Sequence, residues 1–326
     1  MIYPKFIKEG DTIGICPLSA GVGHQLDEYD ESLSVLKQAG YKIKETKSVR
    51  NNNPRAAGSK VRAKEFDELV CDKDVNFINL VSGGDYQLET VPYINYEHIK
   101  NNPKWIMGYS DPTNILFPTT TLLDIATMYG ENGGGFKING NKCQKVNLEY
   151  MKGNLLTQKS YKNYCNALDI YQDNPHYDNK VNWLSKKEVD VSGRCIGGCF
   201  DVIEKLIGTP YDGTKDFVER YKEDGIVWYF DVFSMSSFNF YLSLLQMKLA
   251  GYFKYCKAVL IGRVAIPNID NENLDYIKAA DKALGKIPHI MEMDIGHSDP
   301  RMTLINGAII NVKYKDGKGS ISFNLK

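Results

Sequence analysis

A chain of 326 residues exceeds the roughly 100–200 residues that one hydrophobic core usually supports, so two domains are expected. Its 40 Lys and Arg balance 40 Asp and Glu; a neutral chain offers no field for nucleic acid or an anionic membrane surface, which leaves a small or peptide-like molecule as the expected partner. No apolar run approaches the ~18 residues that span a bilayer, and the start MIYPKFIKEGD lacks a charged segment leading into an apolar one, so the protein is expected to stay in the cytoplasm.

From the N-terminus, short β-rich runs alternate with segments of helical period, the pattern of an α/β domain built on a largely parallel sheet. Residues 12–16 read as a strand, and 27–39 as a helix with Leu33, Leu36 and Ala39 on one face and Gly40 as its stop. A second strand follows at 41–45. Ser59 suits the N-cap of a helix carrying Val61, Phe66, Leu69 and Val70, and 75–81 reads as a buried strand ending in Ser82, Gly83, Gly84 and Asp85. A short strand at 104–107 runs into Gly108, Tyr109, Ser110, Asp111 and Pro112, after which 113–128 reads as helix. The polar stretch 156–187, rich in Asn, Lys, Asp and Tyr, reads as a linker between a domain at 1–155 and another at 188–326. In the second, helices are expected at 201–206, 237–249 and 271–284, and strands at 226–231, 258–262, 308–314 and 320–324.

Seven cysteines lie scattered without a C-x-x-C, and the C-x3-C pair Cys195 and Cys199 has no nearby histidine, so reduced structural thiols and no metal site are expected. Ser110 sits where a strand turns sharply into a helix, with Gly108 before it and Pro112 at the first helical position. Such a turn exposes a hydroxyl and brings the Asp111 N–H to the positive end of a helix, where an oxyanion would form. A serine in that place equally serves as a plain helix cap. Gly83 and Gly84 after a buried strand allow a backbone N–H to approach a ligand, or simply make a tight turn. The run Cys16, Pro17, Leu18, Ser19, Ala20, Gly21 ends a strand in the same way, at the carboxyl edge of the sheet. Only five histidines exist, and His297 is flanked by small and polar residues (Asp294, Ile295, Gly296, Ser298, Asp299), which leave an imidazole room to reach a nucleophile. Asp231 ends the apolar run Ile226 to Phe230; a carboxylate there needs a partner, as a triad acid or as an ordinary helix-end charge.

With these residues assembled, the chain resembles the LD-carboxypeptidase family, which includes murein LD-carboxypeptidases and the microcin C self-immunity peptidases. The resemblance runs from about Asp11 to the C-terminus. It is carried by MGYSDPTNILF at 107–117, IGGCFDVIEKLIGTPYD at 196–212, GIVWYFD through LLQMKLAGYFKYCKAVLIGR at 225–263, and DIGHSDPRMTLINGA at 294–308, in the family's order. It implies an N-terminal flavodoxin-like parallel-sheet domain carrying the nucleophile turn, and a smaller C-terminal α/β domain supplying acid and base. By the same resemblance Ser110 is the nucleophile, His297 the base, and the backbone N–H groups of Gly84 and Asp111 the oxyanion hole. Asp231 falls where the family has a glutamate, so the acid is one methylene shorter. No metal or organic cofactor is implied. The implied activity is cleavage of an L–D peptide bond, releasing terminal D-alanine from a murein tetrapeptide in cell-wall recycling, by a homodimer. Two alternatives stand beside it: a microcin C-type immunity hydrolase of peptidyl- or aminoacyl-nucleotides, and a peptide-binding homologue whose catalysis is weakened by the shortened acid.

Overall fold

The structure, a computed structural model, describes residues 1–172, 175–270 and 273–326. Its first compact unit spans Met1–Leu156 with Thr303–Gly307. In chain order it contains β1 (Thr12–Cys16), α1 (Leu26–Gln38), β2 (Lys42–Glu45), α2 (Ser59–Cys71), β3 (Val75–Leu80), α3 (Tyr96–Asn101), β4 (Trp105–Gly108), α4 (Thr113–Leu123), β5 (Thr127–Tyr129) and α5 (Lys142–Met151). The five strands are parallel in the order β2-β1-β3-β4-β5, and a late strand, Leu304–Asn306, returns antiparallel to β5. This is the flavodoxin-like order, and it reverses direction between β1 and β3, the place in such sheets where ligands generally bind at the carboxyl ends of the strands. Apart from Thr12, Asn76 and Asn79, β1 and β3 are apolar, and all but Thr12 and Asn76 are buried, as in strands covered on both faces.

In this unit three local expectations differ from the structure. The helix expected over 113–128 stops at Leu123, because Asp124 adopts a left-handed conformation at φ 60° and the chain re-enters the sheet as β5. Ser59 is the first helical residue and Gly58 the N-cap, with no side-chain cap bond. On the same helix Val61 is 48% exposed while Arg62 is fully buried. Arg62 points inward because its guanidinium donates to the carbonyls of Leu18 and Tyr86 and pairs with Glu89, so it ties together the segments after β1 and β3.

The second unit spans Thr157–Met302 and Ala308–Lys326, so it is not the smaller of the two. It contains β6 (Gln158–Lys159), β7 (Asn163–Tyr164), β8 (Asn179–Lys180), β9 (Val189–Cys199), α6 (Phe200–Leu206), α7 (Thr214–Arg220), β10 (Ile226–Asp231), α8 (Ser237–Leu249), β11 (Cys256–Gly262), α9 (Tyr276–Leu284), β12 (His289–Met293), then, after the late strand β13 (Leu304–Asn306) of the first unit, β14 (Ile309–Lys315) and β15 (Lys318–Asn324). Its sheet runs β12-β11-β10-β9-β14-β15-β6, parallel from β12 to β9 and antiparallel beyond. β14 and β15 form a hairpin through Asp316 and Gly317, both at positive φ, the combination that a two-residue turn needs to match strand twist. Of the stretch 156–187, β6 joins this sheet and β7 pairs with β8; Asp173 and Asn174 lie outside the described residues. The helix expected over 271–284 begins at Tyr276, capped by the Asp275 carboxylate; Asn271 and Glu272 also lie outside the described residues. Among the described residues no helix is long and apolar enough to cross a membrane.

Candidate active site

In the first unit, β4 ends at Gly108 and α4 begins at Thr113, which leaves four residues to reverse direction. Ser110 sits at their apex with φ 71°, a left-handed conformation that costs a non-glycine residue about 1–3 kcal/mol. Three contacts hold it there: its N–H donates to the Tyr129 hydroxyl (2.9 Å), its carbonyl accepts from Thr113 N–H (2.9 Å), and Tyr109 N–H donates to Asn132 Oδ1 (3.0 Å). Gly108 cannot carry a side chain, since a Cβ there would stand 2.9 Å from Pro112 Cβ.

The turn after β3 lies against this apex. A Cβ on Gly83 would be 3.3 Å from Ser110 Oγ, and Gly84, at φ 134°, is so near the loop after β1 that a Cβ would meet Ser19 Oγ at 2.5 Å. Ser19 is fully buried, accepts from Tyr86 N–H (3.0 Å) and interacts with the Asp111 carboxylate. Asp111 in turn accepts from Gln87 N–H (2.9 Å) and Asn114 Nδ2 (2.7 Å). Burial, partly offset by these hydrogen bonds, pushes the Asp111 carboxyl up to about 6. Three carboxyl ends of adjacent strands, β1, β3 and β4, therefore meet at Ser110. The sequence indicated Ser110, Gly84 and Asp111, and indicated Ser19 only as part of a run. Tyr129 carried no local signal, because its role depends on β5 lying beside β4.

In the second unit, Asp231 is the last residue of β10, and His297 follows β12 in a loop at the same carboxyl edge. Asp231 is fully buried, and His297 Nδ1 lies 3.0 Å from each of its carboxylate oxygens. An ionised carboxylate only accepts, so this contact places the imidazole proton on Nδ1 and leaves Nε2 as the basic nitrogen. The loop reaches the short acid because Gly296 (φ 102°) lets the backbone come close: a Cβ there would stand 2.2 Å from Asp231 Oδ1. On the other side, the Asp201 carboxylate accepts from Phe233 N–H (2.9 Å) and Ser234 N–H (3.0 Å), fixing the segment after β10, and the Phe233 ring packs on the imidazole with centroids 4.5 Å apart.

The root of the His297 loop is pinned by a group the sequence did not indicate. Asp294, fully buried, pairs with buried Arg263 and accepts from Trp183 Nε1 (3.0 Å) and Tyr161 N–H (3.1 Å); Arg263 also donates to Glu292 O (2.9 Å) and stacks over Tyr164. Cys165 and Asp299 exchange backbone hydrogen bonds at 2.8 and 3.1 Å. Residues between 157 and 187 thus hold the loop that carries the histidine.

Comparison with known proteins accords with these motifs. Residues 13–130 match the LD-carboxypeptidase N-terminal domain and residues 192–312 the LD-carboxypeptidase C-terminal domain. A carboxypeptidase-designated protein of Vibrio cholerae is 27% identical over 65% of this chain and 66% of its own length. The microcin C7 self-immunity protein MccF of Escherichia coli is 25% identical over 96% of this chain and 93% of its own. Among solved structures, MccF in complex with aspartyl sulfamoyl adenosine superposes over 100% of both chains with a TM-score of 0.85 at 21% identity, and muramoyltetrapeptide carboxypeptidase from Oxalobacter formigenes over 96% of this chain and 98% of its own with a TM-score of 0.75 at 18% identity. At those identities the structural likeness establishes the fold alone. The matches to both family domains, together covering most of the chain, carry the assignment: this protein belongs to the LD-carboxypeptidase family of hydrolases.

Proposed function

We propose that the protein is a serine-type LD-carboxypeptidase that hydrolyses an L–D peptide bond and releases terminal D-alanine from a murein tetrapeptide. The observation that carries this reading is the direct contact of His297 Nδ1 with both oxygens of buried Asp231, which gives the shortened acid the hold on the imidazole that a triad requires. In the proposed reaction Ser110 Oγ attacks the carbonyl carbon of the L–D bond as His297 Nε2 takes its proton. The oxyanion is held by the N–H groups of Gly84 and Asp111, and Asp231 stabilises the imidazolium. The imidazolium then protonates the departing amine, D-alanine leaves, and water, deprotonated by His297, cleaves the acyl-serine ester. The strained Ser110 backbone supports this assignment, since positive φ at a non-glycine residue persists where the surroundings over-determine it for a purpose. The cytoplasmic setting, expected from the sequence, and the homodimeric form, implied by the family resemblance, belong to the same reading.

A second substrate class is favoured by the near full-length match to MccF: peptidyl- or aminoacyl-nucleotides, cleaved by the same residues. Incubation with murein tri-, tetra- and pentapeptides and with aspartyl sulfamoyl adenosine, whose aspartyl group is joined to the nucleoside side by an amide-type C–N bond, followed by mass spectrometry, separates the two. D-Alanine released from the tetrapeptide supports the first reading; amide cleavage of the nucleotide alone supports the second. Turnover of neither, together with no labelling of Ser110 by a fluorophosphonate, leaves a peptide-binding homologue.

A further inference from the structure

Outside the residues invoked above, α2 and α3 of the first unit bring together three side chains far apart in sequence. Asp67 and Cys71 are four residues apart on α2 and so share one helix face, and His98 faces them from α3, whose start is fixed by the Asn95 side chain accepting from His98 N–H. His98 Nδ1 lies 2.7 Å from Asp67 Oδ1 and 3.3 Å from Cys71 Sγ, and one ligand atom from each residue falls within 4.8 Å of the other two. Among the described residues this is the one such group of three.

The convergence is on a single nitrogen, and that decides between readings. A catalytic relay needs its acid and its nucleophile on opposite ring nitrogens, as the two-ended geometry of a triad shows. Here both contact Nδ1, which holds one proton at most: donated to Asp67, it leaves the thiol proton without an acceptor there. A divalent cation resolves the conflict by replacing both protons. Tetrahedral coordination with Zn–S near 2.3 Å and Zn–N and Zn–O near 2.0–2.1 Å puts neighbouring ligand atoms about 3.3–3.6 Å apart, within about an ångström of the spacing seen here. Burial and the Asp67 charge raise the Cys71 thiol, while the Lys104 ammonium, bound to the carbonyls of Leu69 (3.0 Å) and Asp72 (2.6 Å) at the end of α2, favours the thiolate that a metal needs.

We propose that Asp67, Cys71 and His98 form a binding site for a borderline-soft divalent cation, zinc foremost, with water as fourth ligand. The site clips α2 to α3 and takes no part in the hydrolysis assigned to Ser110, Asp231 and His297. On binding, Cys71 gives up its thiol proton and His98 carries its remaining proton on Nε2, so zinc uptake releases protons to buffer.

Cobalt(II) titration of the full-length, metal-stripped protein tests this. A thiolate-to-cobalt charge-transfer band should saturate at one cobalt per chain, bleach on adding zinc and vanish in Cys71→Ser. His98→Ala should weaken cobalt binding at least as much as the loss of a supporting partner does elsewhere, about 10–100-fold. No band at millimolar cobalt, or an undiminished band in Cys71→Ser, overturns the proposal. Should either variant misfold by circular dichroism, thiol labelling of the wild type decides: zinc should protect Cys71, identified by peptide mass, and unchanged labelling of Cys71 in saturating zinc overturns the site.

Discussion

Ser110 holds a left-handed backbone that glycine adopts freely and serine does not, so the residue proposed as nucleophile is also a point of stored strain. Ser110→Ala keeps the strain and loses the hydroxyl; hydrolysis should fall to background with the fold intact. Ser110→Gly should be equally inactive yet more stable than the alanine variant by about 1 kcal/mol, read from denaturant midpoints. An alanine variant that still turns over substrate at the wild-type rate removes Ser110 from the mechanism. Next to it, Asp111 titrates in the folded state at about 6, above its ordinary 3.8. The folded protein therefore binds more protons than the unfolded chain between those values. This contribution to stability is full below pH 3.8 and is lost as pH rises through 6, at most about 3 kcal/mol. Relative to Asp111→Asn, which cannot titrate, the wild type should gain stability as pH drops from 7 to 5 in urea unfolding. A constant difference across that range would show that Asp111 is not buried in this way. At Asp231, the 3.0 Å contacts with His297 predict that Asp231→Asn loses up to about 10⁴-fold in kcat by withdrawing the charge opposite the imidazolium. Asp231→Glu restores the family residue but adds a methylene to a fully buried position, and should destabilise by about 1–3 kcal/mol and slow turnover. A glutamate variant faster than wild type would mean that the loop can retreat.

What places these side chains is the way strand ends and loops are tied. The loop after β12 comes in toward the short acid because Gly296 has no side chain and a positive φ. Gly296→Ala should push the loop off Asp231. A displacement of about an ångström suffices to cost roughly a hundredfold in kcat/KM, whereas a neutral result would show the loop is not set by this approach. The same loop is anchored at its root by Asp294, Arg263 and Trp183, a buried ionic group whose every partner is supplied by another element. Within the helices, periodicity located α1, α6 and α8 to within a residue or so at each end, because their buried stripes repeat at helical spacing. It failed on α2, where Arg62 is buried and Val61 exposed: a guanidinium that finds backbone carbonyls and a carboxylate inside outweighs the apolar preference of one valine.

For the molecule as a whole, the proposed hydrolysis uses serine, histidine and aspartate, and the candidate metal site uses none of them. Chelation with EDTA should therefore leave kcat/KM unchanged, even where it strips a cation from Asp67, Cys71 and His98 and lowers the melting temperature. Loss of activity on chelation, restored by zinc, would contradict the serine mechanism.

The sequence by itself determined the α/β class, the strand-turn-helix that carries Ser110, and the family through its four motifs, because each is a local pattern of a few neighbouring residues. It also marked Asp231 and His297 as residues needing partners. Only the tertiary structure decided that the aspartate meets the imidazole directly, that Tyr129 and Ser19 brace the Ser110 turn, and that Asp67, Cys71 and His98 converge. Those contacts join residues 19 to 92 positions apart, set by which strands and helices lie side by side, and no spacing along the chain encodes a distance that packing alone fixes.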